Sequence, residues 1–447
     1  VSGNFLSLSQ KIGKFHLRDK IFLIPEMNRI GSHLFAATFR AFGIRAEVMD
    51  TFKGLDLGKE YSSGKECFPC QITTGDILYH MEKERKKAGD AFDAGNYVYF
   101  MPESDGPCRF GMYNKYQRII LDSFPALRKI RIGALTASDA YSLEGIIEEK
   151  EVKTLRKAAY LSVLIGDILD RLLWRIRPYE KRPGLTDQFI ERSMKYMEDA
   201  FECYGANGDS GKIIGKLESL ISEGRAIIDP NIPPKPRIGI VGEIYLRTHA
   251  RANQDLIRTL EKYGGEIVNA SIAEWVNYIN YDGLREAKAE FRMNLKRFRL
   301  GHLKEPLKRI LRLGAEMLYR ETRQRQVYDR VGSLIDLPED HKIGHLDEIL
   351  QQNGLFTFDI SIETCLSIAA IIKHGRDGFN GVVNVYPFTC MPSMTTSAIM
   401  KPLMSQLRIP YLDLSFDSSY QPGGESAIRT FMFQAQQHFD RSAGKSH

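Results

Sequence analysis

The sequence predicts an α/β protein: two doubly wound, Rossmann-like lobes with a helical insert, and a ligand site in the cleft between the lobes. Three observations carry this reading. Short continuous apolar runs, the mark of buried parallel strands, alternate with helical patterns in both halves of the chain. A stiff proline-rich stretch, Asp229-Pro-Asn-Ile-Pro-Pro-Lys-Pro236, separates the halves. Cysteines flanked by proline and glycine recur where predicted strands give way to helices.

The elements follow in order. Residues 1–17 are polar and mixed and read as an arm. Lys20-Ile-Phe-Leu-Ile-Pro25 is a buried strand, 30–42 a helix closed by Gly43, and 45–49 the next strand, together a βαβ unit. Tyr97-Val-Tyr-Phe-Met101 is a strand, 112–124 a helix and 129–135 a strand, so the first lobe spans 18–142. Residues 143–228 read as helical. Within them, Leu155, Ala159, Leu161, Leu164, Ile168 and Leu172 recur at helical spacing. After the 229–236 linker, the second lobe spans 237–441. Its strands are expected at 237–242, 265–269, 381–386 and 410–414, and its helices at 251–263, 394–406 and 425–441. A basic helical insertion occupies 283–330, and 442–447 form a tail.

Composition narrows the function. A chain of 447 residues exceeds a single compact core, and 43% hydrophobic with 26% charged residues is ordinary for a globular protein. A formal charge of +6 is too modest to point to nucleic acid. No apolar run reaches the ~18 residues of a membrane span. Six cysteines (67, 70, 108, 203, 365 and 390) are too sparse for a disulfide scaffold and fit a reducing, cytoplasmic setting.

Cys67 and Cys70 open a helical stretch in Glu66-Cys-Phe-Pro-Cys70, Cys108 lies in Gly106-Pro-Cys-Arg-Phe-Gly111, and Cys390 lies in Pro387-Phe-Thr-Cys-Met-Pro392. Ligands of open α/β sheets sit outside the strands' carboxyl ends, where helix N-termini offer unpaired N–H groups. Pro69, Pro107 and Pro392 stiffen the turns, and Gly106 and Gly111 leave room for a bulky group. These features predict that Cys67, Cys70, Cys108 and Cys390 converge on an iron–sulfur cluster. Two other chemistries use the same residues: a thioredoxin-type dithiol at Cys67 and Cys70, and a four-cysteine zinc site. Cys203 and Cys365 read as ordinary small hydrophobes.

Gly205-Ala-Asn-Gly-Asp-Ser-Gly-Lys212 lacks the spacing of a phosphate loop, and Arg237-Ile-Gly-Ile-Val-Gly-Glu243 lacks a full dinucleotide fingerprint. Glu66, Glu103, Asp105 and Arg109 flank the cysteine turns as candidates for tuning a cluster or moving protons. Arg247, His249 and Arg251 follow a strand end and are candidate contacts for an anionic substrate or the cluster edge. Residues 283–330 hold 14 Lys/Arg against 6 Asp/Glu, enough to dock an acidic partner or the phosphates of coenzyme A.

At these motifs the chain resembles a known family: proteins related to 2-hydroxyacyl-CoA dehydratases and their activases, with benzoyl-CoA reductase subunits and double-cubane proteins among the relatives. The matching stretches are Glu66-Cys-Phe-Pro69 with Gly75, Gly106-Pro-Cys-Arg-Phe-Gly111, Gly242-Glu-Ile-Tyr-Leu-Arg247 with Asn253, and Pro387-Phe-Thr-Cys-Met-Pro392. The resemblance implies a lyase or reductase component with a [4Fe–4S] cluster between its lobes, or in the double-cubane relatives an [8Fe–9S] cluster. It also implies low-potential electrons from a separate ATP-hydrolysing activase, an acyl-CoA substrate and related subunits in an oligomer. Cys67, Cys108 and Cys390 match the family's cysteine positions. Cys70 departs from the commoner pattern, which has only the first cysteine of the pair, and is expected as a fourth ligand.

Overall fold

The computed structural model describes residues 10–443 except Asp105, Ser361 and Pro422. It is α/β, with two separate parallel sheets surrounded by helices.

In chain order the first part contains β1 (Ile12–Gly13), β2 (Ile21–Ile24), α1 (Arg29–Ala41), β3 (Arg45–Val48), α2 (Leu55–Glu60), α3 (Phe68–Ala88), β4 (Tyr97–Phe100), α4 (Tyr113–Ser123) and β5 (Arg131–Gly133). The strands lie in the order β1-β5-β4-β2-β3, all parallel, with Ile21 opposite both Arg45 and Tyr97. All four residues of β2 are buried, as a central strand covered on both faces requires. The segment expected as an arm departs from that reading: Ile12 and Gly13 pair with Ile132 and Gly133 and extend the sheet edge. Its first nine residues lie outside the described set, as does the tail from residue 444.

Three long helices follow, α5 (Glu149–Ile176), α6 (Leu185–Tyr204) and α7 (Ser210–Arg225). They share one apolar core with Ile30, Leu34 and Ala37 of α1. The second sheet and its helices comprise β6 (Arg237–Gly242), α8 (Ile244–Thr248), α9 (Leu256–Lys262), β7 (Glu266–Asn269), α10 (Ile272–Lys296), α11 (Lys304–Gly332), α12 (Ile343–Asn353), α13 (Thr364–Arg376), β8 (Gly381–Pro387), α14 (Met391–Leu407), β9 (Tyr411–Phe416) and α15 (Gly424–Ala443). Its order is β7-β6-β8-β9, again all parallel.

Two helical expectations change. The helix expected over 251–263 is shortened to α9 (Leu256–Lys262), because Gln254 and Asp255 take left-handed backbone (φ 55° and 54°) and delay its start; the short α8 lies ahead of the expected range. The basic insertion is a pair of helices, α10 and α11, that begins earlier, at the Ser271 cap, whose hydroxyl accepts from Glu274 N at 2.9 Å. The carboxylate of Asp167 on α5 accepts from Ile272 N and Ala273 N (2.9 and 2.8 Å) and fixes the start of α10.

α3 joins the two halves. Residues 68–78 are buried without interruption, a pattern expected of a helix enclosed on all sides. Ile77 and Leu78 pack in the first sheet's core, whereas Phe68 and Ile72 pack with Ile238, Ile240 and Val383 of the second. A Cβ on Gly75 would lie 2.0 Å from the Gly54 carbonyl oxygen, so α2 and α3 touch backbone to backbone. The N-terminus of α3, where Cys67 sits, is thereby fixed relative to both sheets.

Candidate functional site

Three cysteines occupy the same local position. Cys67, Cys108 and Cys390 each have extended backbone (φ/ψ −63°/140°, −77°/134° and −70°/108°) and immediately precede a helical turn. After Cys67 and Cys390 a proline stands in the first turn, where its missing N–H costs nothing. After Cys108 the first turn is a short 3₁₀ segment, Arg109–Met112, which leads into α4. No side chain of the three caps its own helix; the Cys390 thiol instead donates to Ser393 Oγ at 3.8 Å.

All three line one cavity of about 380 Å³, together with Pro69, Pro107 and Pro392. The cavity lies between the two sheets' segments and continues past Phe35, Phe100, Trp275 and Ile279. Arg109 ties the turns together. Its Nη1 donates to the carbonyl of Lys65 at 2.8 Å, and its Nη2 donates to that of Thr389 at 3.1 Å. One guanidinium beside Cys108 thus holds the backbone just ahead of Cys67 and of Cys390. Thr389 sits at φ 62°, a left-handed conformation that a β-branched residue rarely adopts.

Cys70 is not brought to the cavity. It lies one turn further into α3, 2% exposed, in the apolar core with Tyr99 and Tyr113. Cys365 is buried and donates its thiol to the Ile362 carbonyl at 2.9 Å, and Cys203 is exposed at the end of α6. All six cysteines are free thiols.

Burial pushes the Cys108 thiol up to about 11 and those of Cys70 and Cys390 up to about 12; Cys67 is raised well above its ordinary value. The nearby Glu243 carboxyl adds to the rise at Cys67, Cys108 and Cys390. A thioredoxin-type dithiol needs a thiolate stabilised near neutrality, and the burial here opposes that at both Cys67 and Cys70. Such thiols ionise once a cationic metal core supplies the compensating charge.

Sequence reasoning left two acidic groups without a role. Glu243 directly follows β6, and Glu363 directly precedes α13; both line the cavity. Desolvation raises both carboxyls, and repulsion from Glu243 raises Glu363 further; Arg247 partly offsets their charge. Glu243 stands in a stretch that the sequence reading singled out. Glu363 is a lone carboxylate ahead of an apolar helix, and no local pattern marks it.

The other charged candidates have structural partners. Arg247 is 5% exposed and donates to the Ser271 carbonyl, and Arg251 donates to that of Thr51 at 3.2 Å. His249 accepts from Ala252 N at Nδ1, so its Nε2–H faces Thr51 Oγ1 at 2.9 Å, and Thr51 in turn donates to Asp76 at 2.8 Å. None of Arg247, His249 and Arg251 lines the cavity; each is held by the hydrogen bonds just given. Glu66 accepts from Ser63 N, Glu103 pairs with Lys115, and Asp105 lies outside the described residues.

Among the described residues, no three His, Cys, Asp or Glu side chains come close enough to hold one metal ion. Three thiols spread around a cavity suit a wider, multinuclear group, and soft thiolate donors are what an iron–sulfur core takes. Among the described residues, no helix is long and apolar enough to cross a membrane. The chain matches no protein-family model and no curated protein.

Proposed function

We propose that this chain is an iron–sulfur protein of the 2-hydroxyacyl-CoA dehydratase-like class, which accepts low-potential electrons from an ATP-dependent activase for a radical dehydration or reduction. The observation that carries the reading is the convergence of Cys67, Cys108 and Cys390 from three helix starts onto one cavity. In this reading each sheet with its helices is a Rossmann-like lobe, and the cluster occupies the cleft between them. Cys67, Cys108 and Cys390 hold the cluster, which supplies one-electron chemistry when bound. Arg109 keeps the three turns in register, and the prolines limit their movement.

The remaining cavity supports a substrate of the chain's own over a purely electron-carrying role. Phe35, Phe100, Trp275 and Ile279 offer an apolar wall beside the thiols. An acyl chain fits such a lining. A double cubane would draw on all six cysteines, and Cys203 and Cys365 lie away from the cavity, which favours a single [4Fe–4S] group.

The test is stopped-flow reduction of the anaerobic protein by a cognate activase. Bleaching of the cluster absorbance should require ATP and the activase together. Equal bleaching without ATP, or ATP turnover by this chain alone, would show that the division of labour is wrong.

A further inference from the structure

The cavity presents three thiols, and an iron–sulfur cubane has a fourth metal corner. Two cysteines remain buried nearby in sequence or in space, yet neither faces the cavity: Cys70 points into the first core, and Cys365 bonds a carbonyl within the second half. One acidic group does face it from the right place. Glu243 emerges from the carboxyl end of β6, and Cys390 follows the carboxyl end of β8; the two strands are parallel neighbours with Gly242 opposite Val385. Glu243 N donates to the Val385 carbonyl at 2.8 Å. Gly242 stands at φ 110°, and a Cβ there would lie 2.1 Å from that same carbonyl oxygen. Only glycine lets the backbone turn so tightly here, and the turn delivers Glu243 to the cysteine end of the sheet.

Resting on the function proposed above, we propose that Glu243, and not Cys70, is the fourth protein group presented to the cluster, as an oxygen ligand completing the set of Cys67, Cys108 and Cys390. Glu363 also lines the cavity, but from the start of α13 rather than from a strand end of the sheet. The Glu243 carboxylate is already oriented: Oε1 accepts from Tyr245 N at 3.1 Å and Oε2 from Leu246 N at 2.9 Å. Each oxygen keeps a further lone pair, and such outer hydrogen bonds are what fix a metal-ligating carboxylate. A carboxylate is a harder donor than a thiolate and a weaker partner for iron–sulfur iron. The corner it holds is therefore the exchangeable one.

The experiment reconstitutes the full chain anaerobically with ⁵⁷Fe and sulfide and records Mössbauer spectra with iron content. The wild type, Glu243→Gln, Glu243→Cys and Cys70→Ala are compared. The expected wild-type spectrum has one iron of about four distinct from the others. Glu243→Gln should shift or lose that one component, Glu243→Cys should make all the iron alike in an all-thiolate cluster, and Cys70→Ala should match the wild type. A wild-type spectrum retained in both Glu243 variants, or cluster loss confined to Cys70→Ala, overturns the assignment while the cluster itself stands. A wild type that takes up no iron overturns the functional reading beneath it.

Discussion

Arg109 illustrates how much of the site rests on single side chains. Its bonds run from the Cys108 turn to the backbone ahead of Cys67 and Cys390, and at this exposed position each contributes about 0.5–1.5 kcal/mol. Arg109→Ala is expected to lower the stability of the apo protein by about 1–3 kcal/mol in denaturant unfolding and to speed loss of cluster colour in air. Unchanged values of both would remove Arg109 from its tethering role. Residue type and neighbours made Cys67, Cys108 and Cys390 legible, since proline and glycine beside a cysteine at a strand-to-helix change are visible in the chain. The same logic overreached at Cys70. The Cys-Phe-Pro-Cys spacing is local, but the side of α3 that faces the core is set by packing against two sheets at once. Glu363 was illegible for the converse reason: its neighbours in space, Glu243 and Arg247, are distant in sequence.

Elements couple these residues to the rest of the molecule. The bond chain from Asp76 on α3 through Thr51 to His249 links the first sheet's helices to the segment after β6. Burial raises the Asp76 carboxyl to about 7 and lowers His249 to about 4. The folded state then holds the Asp76 proton at a pH where the unfolded chain, with an ordinary value near ~3.9, has lost it. Asp76 therefore contributes stability that is fully present below about pH 4 and is lost as pH rises through about 7. His249 acts in the opposite sense: its contribution is present above the ordinary histidine value near ~6.5 and lost as pH falls toward about 4. Asp76→Asn removes only the first of these. Its stability relative to wild type should improve between pH 5 and pH 7 in urea unfolding, by about 3 kcal/mol or less, and a constant difference would refute the shift. The strands were legible as continuous apolar runs, whereas the late start of α9 was not, because left-handed Gln254 and Asp255 carry no glycine to announce it. On the α10–α11 pair, Arg297, Arg299, Lys308 and Arg312 are exposed beside Phe298 and Leu311, a basic and apolar face suited to an acidic partner. Charge reversal at the four positions should slow activase-driven reduction at low salt and matter little at high salt. An unchanged rate at both would place the docking face elsewhere.

At the scale of the whole molecule, two parallel sheets and the helix α3 buried between them create a cavity that neither half could form alone. The α/β class and the two sheets could be read from apolar runs and the proline-rich linker. The edge pairing of Ile12 and Gly13 could not, since two residues carry no periodicity. The direct test of the central claim, that three cysteines from three helix starts hold one cluster, is iron and sulfide per chain after anaerobic purification. The wild type and Cys203→Ala should be brown with about four iron each, and Cys108→Ala and Cys390→Ala should each lose the iron. A colourless wild type with zinc or no metal, or iron lost as fully in Cys203→Ala as in Cys390→Ala, would contradict it.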